Sequence, residues 1–164
     1  MNWYAALKFL HITAVIVSVG GLFARQLLRQ HARNMNDVLS FATFSQAAGK
    51  IEKAMVIPGM QAIMVLGIVL ALVGGAPIIG FLQGANENWL LASNLLLLGI
   101  LVIIPTVLIP RGKKFEPVLK AALEKGQITT ELRDAMNDNA VRLAHLYEEI
   151  AVIVIVALMV LKPF

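Results

Sequence analysis

Four apolar stretches, each about 17 to 23 residues long, leave this chain few ways to fold. They run from about Trp3 to Arg25, Met55 to Val73, Trp89 to Leu108 and His145 to Leu161. At ~1.5 Å of helix rise per residue, each reaches across ~30 Å of hydrocarbon. Inside a bilayer every backbone N–H and C=O must be paired within the protein, so each stretch is expected to be a helix. The chain is therefore expected to be all-α: one transmembrane domain over residues 1–164, an integral membrane four-helix bundle. Its 59% apolar and 15% charged content fits that reading better than it fits a soluble domain.

The charges supply orientation. The first connection holds Arg29, Arg33, Lys50 and Lys53, with Arg25 at its edge; the third holds seven Lys and Arg; the middle one, 74–88, holds none. By the positive-inside rule the two basic connections face the cytoplasm, and both termini are periplasmic. The expected location is a bacterial inner membrane, crossed several times, with the lipid bilayer as first partner. The net charge of +4 has this topological cause, and nucleic acid is not expected as a partner. With no cysteine, the chain has no disulfide, iron–sulfur cluster, Cys-ligated zinc or covalently attached c-type haem. The first stretch lacks a small-x-small cleavage site and is expected to stay as a span.

That first stretch carries Lys8, His11, Ser18, Arg25 and Arg29. At 100° per residue, Lys8 falls about 60° from His11, Ser18 about 20°, Arg25 about 40°, and Arg29 directly beneath it. The polar atoms form one stripe, and hydrocarbon penalises ionisable groups unless they face protein, water or a cofactor. His11 is accordingly the leading candidate for a functional residue.

The connections and remaining spans add detail. Asp37 is expected to cap a helix running to about Lys53, with Phe41, Phe44 and Ala48 at apolar spacing. Phe115 to Leu123 marks an amphipathic helix ending at Gly126, and Thr129 or Thr130 caps a long helix leading into the last span. Gly59 and Gly67 allow close helix approach, and Gln61 and Asn94 are expected to bond between helices. Pro105 is expected to kink its helix or open its backbone. Met60 and Met64, one turn apart, are either apolar packing or axial ligands. Asp138, Arg142, His145 and Glu149 recur at spacings of 4, 3 and 4 and share one face. His145 and Glu149 form a second candidate metal site, set against an ion-pair stripe at the membrane edge. No nucleotide loop, nucleophile elbow or zincin motif occurs.

Leu7-Lys8-Phe9-Leu10-His11, the Gly20–Arg25 run GGLFAR and the tail VLKPF at 160–164 resemble the HemJ-type protoporphyrinogen oxidases. The pattern is also similar to the CopD-like membrane domain and to a bacterial family described only as predicted integral membrane proteins. The resemblance implies a b-type haem with His11 as axial ligand to its iron, Lys8 and Ser18 beside it in the cofactor site, and a redox or haem-metabolism role with a porphyrin or redox partner. It departs from the HemJ group at Ser93, where a W-L-x-x-K pattern would place a lysine, and this weighs against protoporphyrinogen oxidase activity itself. Arg25 and Arg29 lie ~21 to 27 Å along the helix from His11, too far to pair with propionates of a haem held there. His145, at the opposite membrane edge, is excluded as a second ligand in the same chain, so six-coordinate iron would require a homodimer. The alternative is a non-catalytic accessory or assembly bundle whose polar stripes are structural.

Overall fold

Side-chain caps and glycines punctuate the chain. In the computed structural model, which describes residues 2–164, the elements are α1 (Trp3–Arg33), α2 (Val38–Ile51), α3 (Ile57–Gly74), α4 (Trp89–Ile103), α5 (Ile109–Lys125), α6 (Thr130–Met136) and α7 (Asn139–Leu161). Asn2 accepts from the Ala5 N–H and Asp37 from the Ser40 N–H at 2.7 Å, opening α1 and α2. The Ser40 N–H also holds the Asp37 carboxyl below the usual aspartate range. Gly75 (φ 65°) and Gly126 (φ 67°) close α3 and α5 in the left-handed conformation that glycine adopts without a Cβ penalty.

Helix ends and membrane edges do not coincide. The helices long and apolar enough to span a bilayer cover Trp3–Arg33, Val38–Gly74, Trp89–Lys125 and Thr130–Leu161. The helix capped by Asp37 thus runs on into the second span instead of stopping near Lys53, and the third span continues to Lys125. In the fourth, Thr129 caps only the short α6; Asn137 and Asp138 break the helix, and Asp138 caps α7 by accepting from the Ala140 and Val141 N–H groups.

Two of these long helices widen before proline. Val56-Ile57-Pro58 and Leu108-Ile109-Pro110 each follow a five-residue π-helical turn, Glu52–Val56 and Ile104–Leu108. Proline offers no N–H and its ring crowds the carbonyl four residues back. In each case the preceding Ile N–H bonds five residues back instead, Ile57 to Glu52 and Ile109 to Ile104. Pro105 lies inside the second wide turn, so it opens the backbone as its position predicts.

The packing forms two separate cores. In the membrane, Leu22, Val56, Ile100, Ala151 and Val152 bring all four spans together. Beyond it, Ala32, Val38, Phe41, Ala122 and Leu132 form the centre of a head built from the end of α1, α2, α5 and α6, with Phe44, Phe115 and Leu119 around them. The connecting helices therefore pack on one another. At the opposite end the tail folds back: the Phe164 carbonyl accepts the Asn88 and Trp89 N–H groups, and the Lys162 ammonium stands 5.0 Å from the Trp89 ring centroid.

Candidate functional site

The polar stripe of α1 is a seam against α3. Tyr4, His11, Ser18 and Arg25 follow one another at intervals of seven residues, and the antiparallel neighbour places Gly74, Gly67, Gly59 and Glu52 opposite them. A Cβ built at Gly59 would lie 2.7 Å from Ser18 Cβ and 3.1 Å from Ser18 Cα. At Gly67 it would lie 3.2 Å from His11 Cε1, and at Gly74 3.2 Å from the Tyr4 hydroxyl oxygen. The glycines thus make room for side chains that are polar at one end. Ser18 is fully buried and its hydroxyl donates to the Val56 carbonyl at 3.4 Å. The His11 Nδ1 is buried with no hydrogen-bond partner.

Above the membrane core, α1 leans on α3 alone. Leu22 and Val19 face the four-helix core, and the same side of the wheel carries Ile12 and Lys8 two and a half to four turns nearer Trp3. Those two are exposed, Ile12 by 47%. Val15, between Ile12 and Val19 on that side of the helix, is half-buried.

At the other end of the seam lies a buried ionic layer. Arg25, 1% exposed, donates from Nη2 to Glu148 Oε2 at 2.5 Å and stands 3.6 Å from Glu52. Arg29 donates to Glu52 Oε2 at 3.1 Å and to the His145 Nε2. Arg25 approaches the other ring nitrogen, so the His145 imidazole lies between two guanidinium groups. Its Nδ1 stands 3.2 Å from Glu148 Oε2 and 3.2 Å from Arg25 Nη2. Glu149 leaves its Oε1 buried and without a partner. The layer joins α1, the first wide turn and α7 between the membrane core and the head.

The predicted residues separate accordingly. His11 and Ser18 share the seam; Lys8 is on the same helix but exposed and outside it. His145 pairs with Glu148, three residues on, and its Nε2 lone pair is engaged by Arg29. Among the described residues no three His, Asp or Glu side chains converge as a metal site. Arg142 is exposed and Asp138 bonds Arg111 at 2.8 Å, so the face drawn through 138, 142, 145 and 149 does not act as one unit. Glu52 and Glu148 are the partners that spacing alone missed; the signal for them was Arg25 and Arg29, two cations on an inward stripe that require counter-charges. Gln61 is exposed on the bundle surface, whereas Asn94 donates to the Ile78 carbonyl at 3.0 Å. Met60 packs against the membrane core. Ser93 is buried and donates to the Trp89 carbonyl at 2.8 Å, a helical back-bond.

Four apolar helices, a seam of small residues and a buried ionic layer define a multi-pass integral membrane bundle. Residues 5–163 match the family of predicted integral membrane proteins designated DUF2269, and the chain belongs to it. No curated protein and no solved structure matches the chain.

Proposed function

We propose that the protein binds a b-type haem through His11 and serves a redox or haem-metabolism role in a bacterial inner membrane, with its termini on the periplasmic side. The observation that carries this reading is the His11 imidazole, an ionisable ring on a membrane-spanning helix, set against Gly67 with the Ile63 backbone beside it. With Nδ1 enclosed against α3, the nitrogen that would ligate the iron is Nε2. A bound haem would supply one-electron chemistry; the chain would supply the ligand, its orientation against Gly67, and the exclusion of water. One His11 per chain gives a five-coordinate iron, or a six-coordinate one shared across a homodimer. Ser93 and its back-bond favour a redox partner or porphyrin role other than protoporphyrinogen oxidation.

The ligation is tested by the visible spectrum of the detergent-purified protein with and without dithionite. A Soret band that shifts on reduction and disappears in His11→Ala is the expected result. A colourless protein, after expression with added haem, refutes the reading. It would leave the accessory bundle in front, which the satisfied hydroxyl of Ser18 packed on Gly59 favours.

A further inference from the structure

Charge is distributed unevenly along the membrane normal, and the imbalance falls at one level. Thirty ångströms of hydrocarbon, measured from Trp3, Gly74, Trp89 and Leu161, reaches about residues 23, 54, 109 and 141. Within ~10 Å of that edge stand eight of the fourteen Lys and Arg residues. The acids there are Glu52 and Asp138, with Glu116 and Glu148 at the limit of that layer and Glu149 ~12 Å from the edge. The head beyond is close to neutral: residues 30–40 and 115–135 together hold four Lys and Arg against five Asp and Glu. The excess positive charge therefore belongs to the neck between membrane and head.

The acids nearest the neck are turned inward or already engaged, apart from Glu116, which is exposed on the head side of α5. Glu52 and Glu148 bond Arg25 and Arg29, Asp138 bonds Arg111, and the Glu149 Oε1 is buried. Lys50, Lys53, Lys113, Lys114 and Arg142 remain, all exposed and without an ion-pair partner among the described residues. They come from the end of α2, the first wide turn, α5 and α7, so they stand on both hairpins of the bundle. Head and membrane confine what can reach them: the phosphates of the adjoining leaflet lie at this depth, whereas a protein partner must first fit under the head.

We propose that this belt binds the headgroups of anionic phospholipids. Cations at headgroup depth gain about 1 kcal/mol each from an anionic leaflet, which is about a five-fold change in affinity per residue. The belt holds lipid by charge, so zwitterionic lipid should not replace it. Free phosphate shares the chemistry but lacks the acyl anchor that concentrates it at this depth.

The test uses the full-length protein in a neutral detergent, with phosphatidylglycerol, phosphatidylcholine or inorganic phosphate added. Lipid retained is counted by native mass spectrometry and the thermal midpoint is recorded. Phosphatidylglycerol should be retained and should raise the midpoint, and 0.5 M (about 3 to 5 Å of screening length) sodium chloride should abolish both effects. Lys50→Gln with Lys53→Gln, and separately Lys113→Gln with Lys114→Gln, should each weaken retention about 30-fold. Arg33→Gln with Lys120→Gln and Lys125→Gln, which removes more charge from the head, should leave it unchanged. Equal loss in the head variant would reduce the effect to net charge and overturn the proposal. So would equal retention of phosphatidylcholine, or a midpoint raised as much by phosphate alone. The salt series on the unaltered protein decides the matter even where a variant fails to fold.

Discussion

Removing Arg25 gives the sharpest test of the ionic layer. Arg25 is 1% exposed and supplies the 2.5 Å bond to Glu148, whose side chain is itself 6% exposed. In Arg25→Met, Glu52 keeps Arg29 at 3.1 Å, so one carboxylate rather than two loses its cation. Glu148 keeps the His145 Nδ1 at 3.2 Å, free to donate once Arg25 is gone. Breaking a buried pair from one side costs ~3 to 5 kcal/mol, and with one carboxylate stranded and partly hydrogen-bonded the lower end applies, about 3 kcal/mol. That is about a 150-fold loss in the folding equilibrium constant. Removing both partners in Arg25→Met with Glu148→Leu leaves no stranded charge and should recover all but ~1 kcal/mol of the loss. Reversible unfolding in mixed micelles, driven by a denaturing detergent and followed by far-ultraviolet circular dichroism, measures both. A single variant within 1 kcal/mol (roughly the worth of an exposed pair) of the unaltered protein, or a double variant as unstable as the single, would refute the reasoning.

Two further outcomes are expected. Gly59→Ala should destabilise the bundle by about 1 to 3 kcal/mol in the same assay, because its Cβ would meet Ser18 backbone and side chain, while Gly20→Ala, whose Cβ meets nothing within 4 Å, should be neutral or slightly stabilising. A phosphatase that is active only outside the cytoplasm, fused after Phe164, should be active in cells; inactivity with the fusion intact would reverse the proposed orientation and with it the depth assigned to His11.

Much of the architecture is legible in the sequence because hydrocarbon is an unforgiving solvent. It forces long apolar runs into helices, which makes the spans visible, and it turns His11, Arg25 and Arg29 of α1 inward, though Lys8 on the same stripe stays exposed. The close approach at Gly59 and Gly67 is readable for the same reason. What the sequence hides is partner choice. Around α7, Glu148 lies 60° to one side of His145 and Glu149 40° to the other, so helical spacing favours Glu149; the position of Arg25 on a different helix selects Glu148. Glu52 is harder still, because it falls in a connection that hydropathy reads as lying outside the spans. Hydropathy marks where the membrane ends and says little about where a helix ends. The head is not legible because its apolar residues, Phe41 and Phe115 among them, form ordinary amphipathic patterns equally suited to lying on a membrane surface or packing on each other.

The head also imposes an order on biogenesis. Its centre pairs Val38 and Phe41 from one connection with Ala122 and Leu132 from the other. During synthesis at ~5 to 20 residues per second, the earlier half waits about 4 to 18 seconds for the later one to emerge. In that interval two more spans must be made, and the apolar face of α2 has only the end of α1, through Ala32, to pack on. Insertion of the second and third spans thus precedes closure of the head, and a chain whose third span fails to insert leaves Phe41 uncovered for quality-control machinery to find.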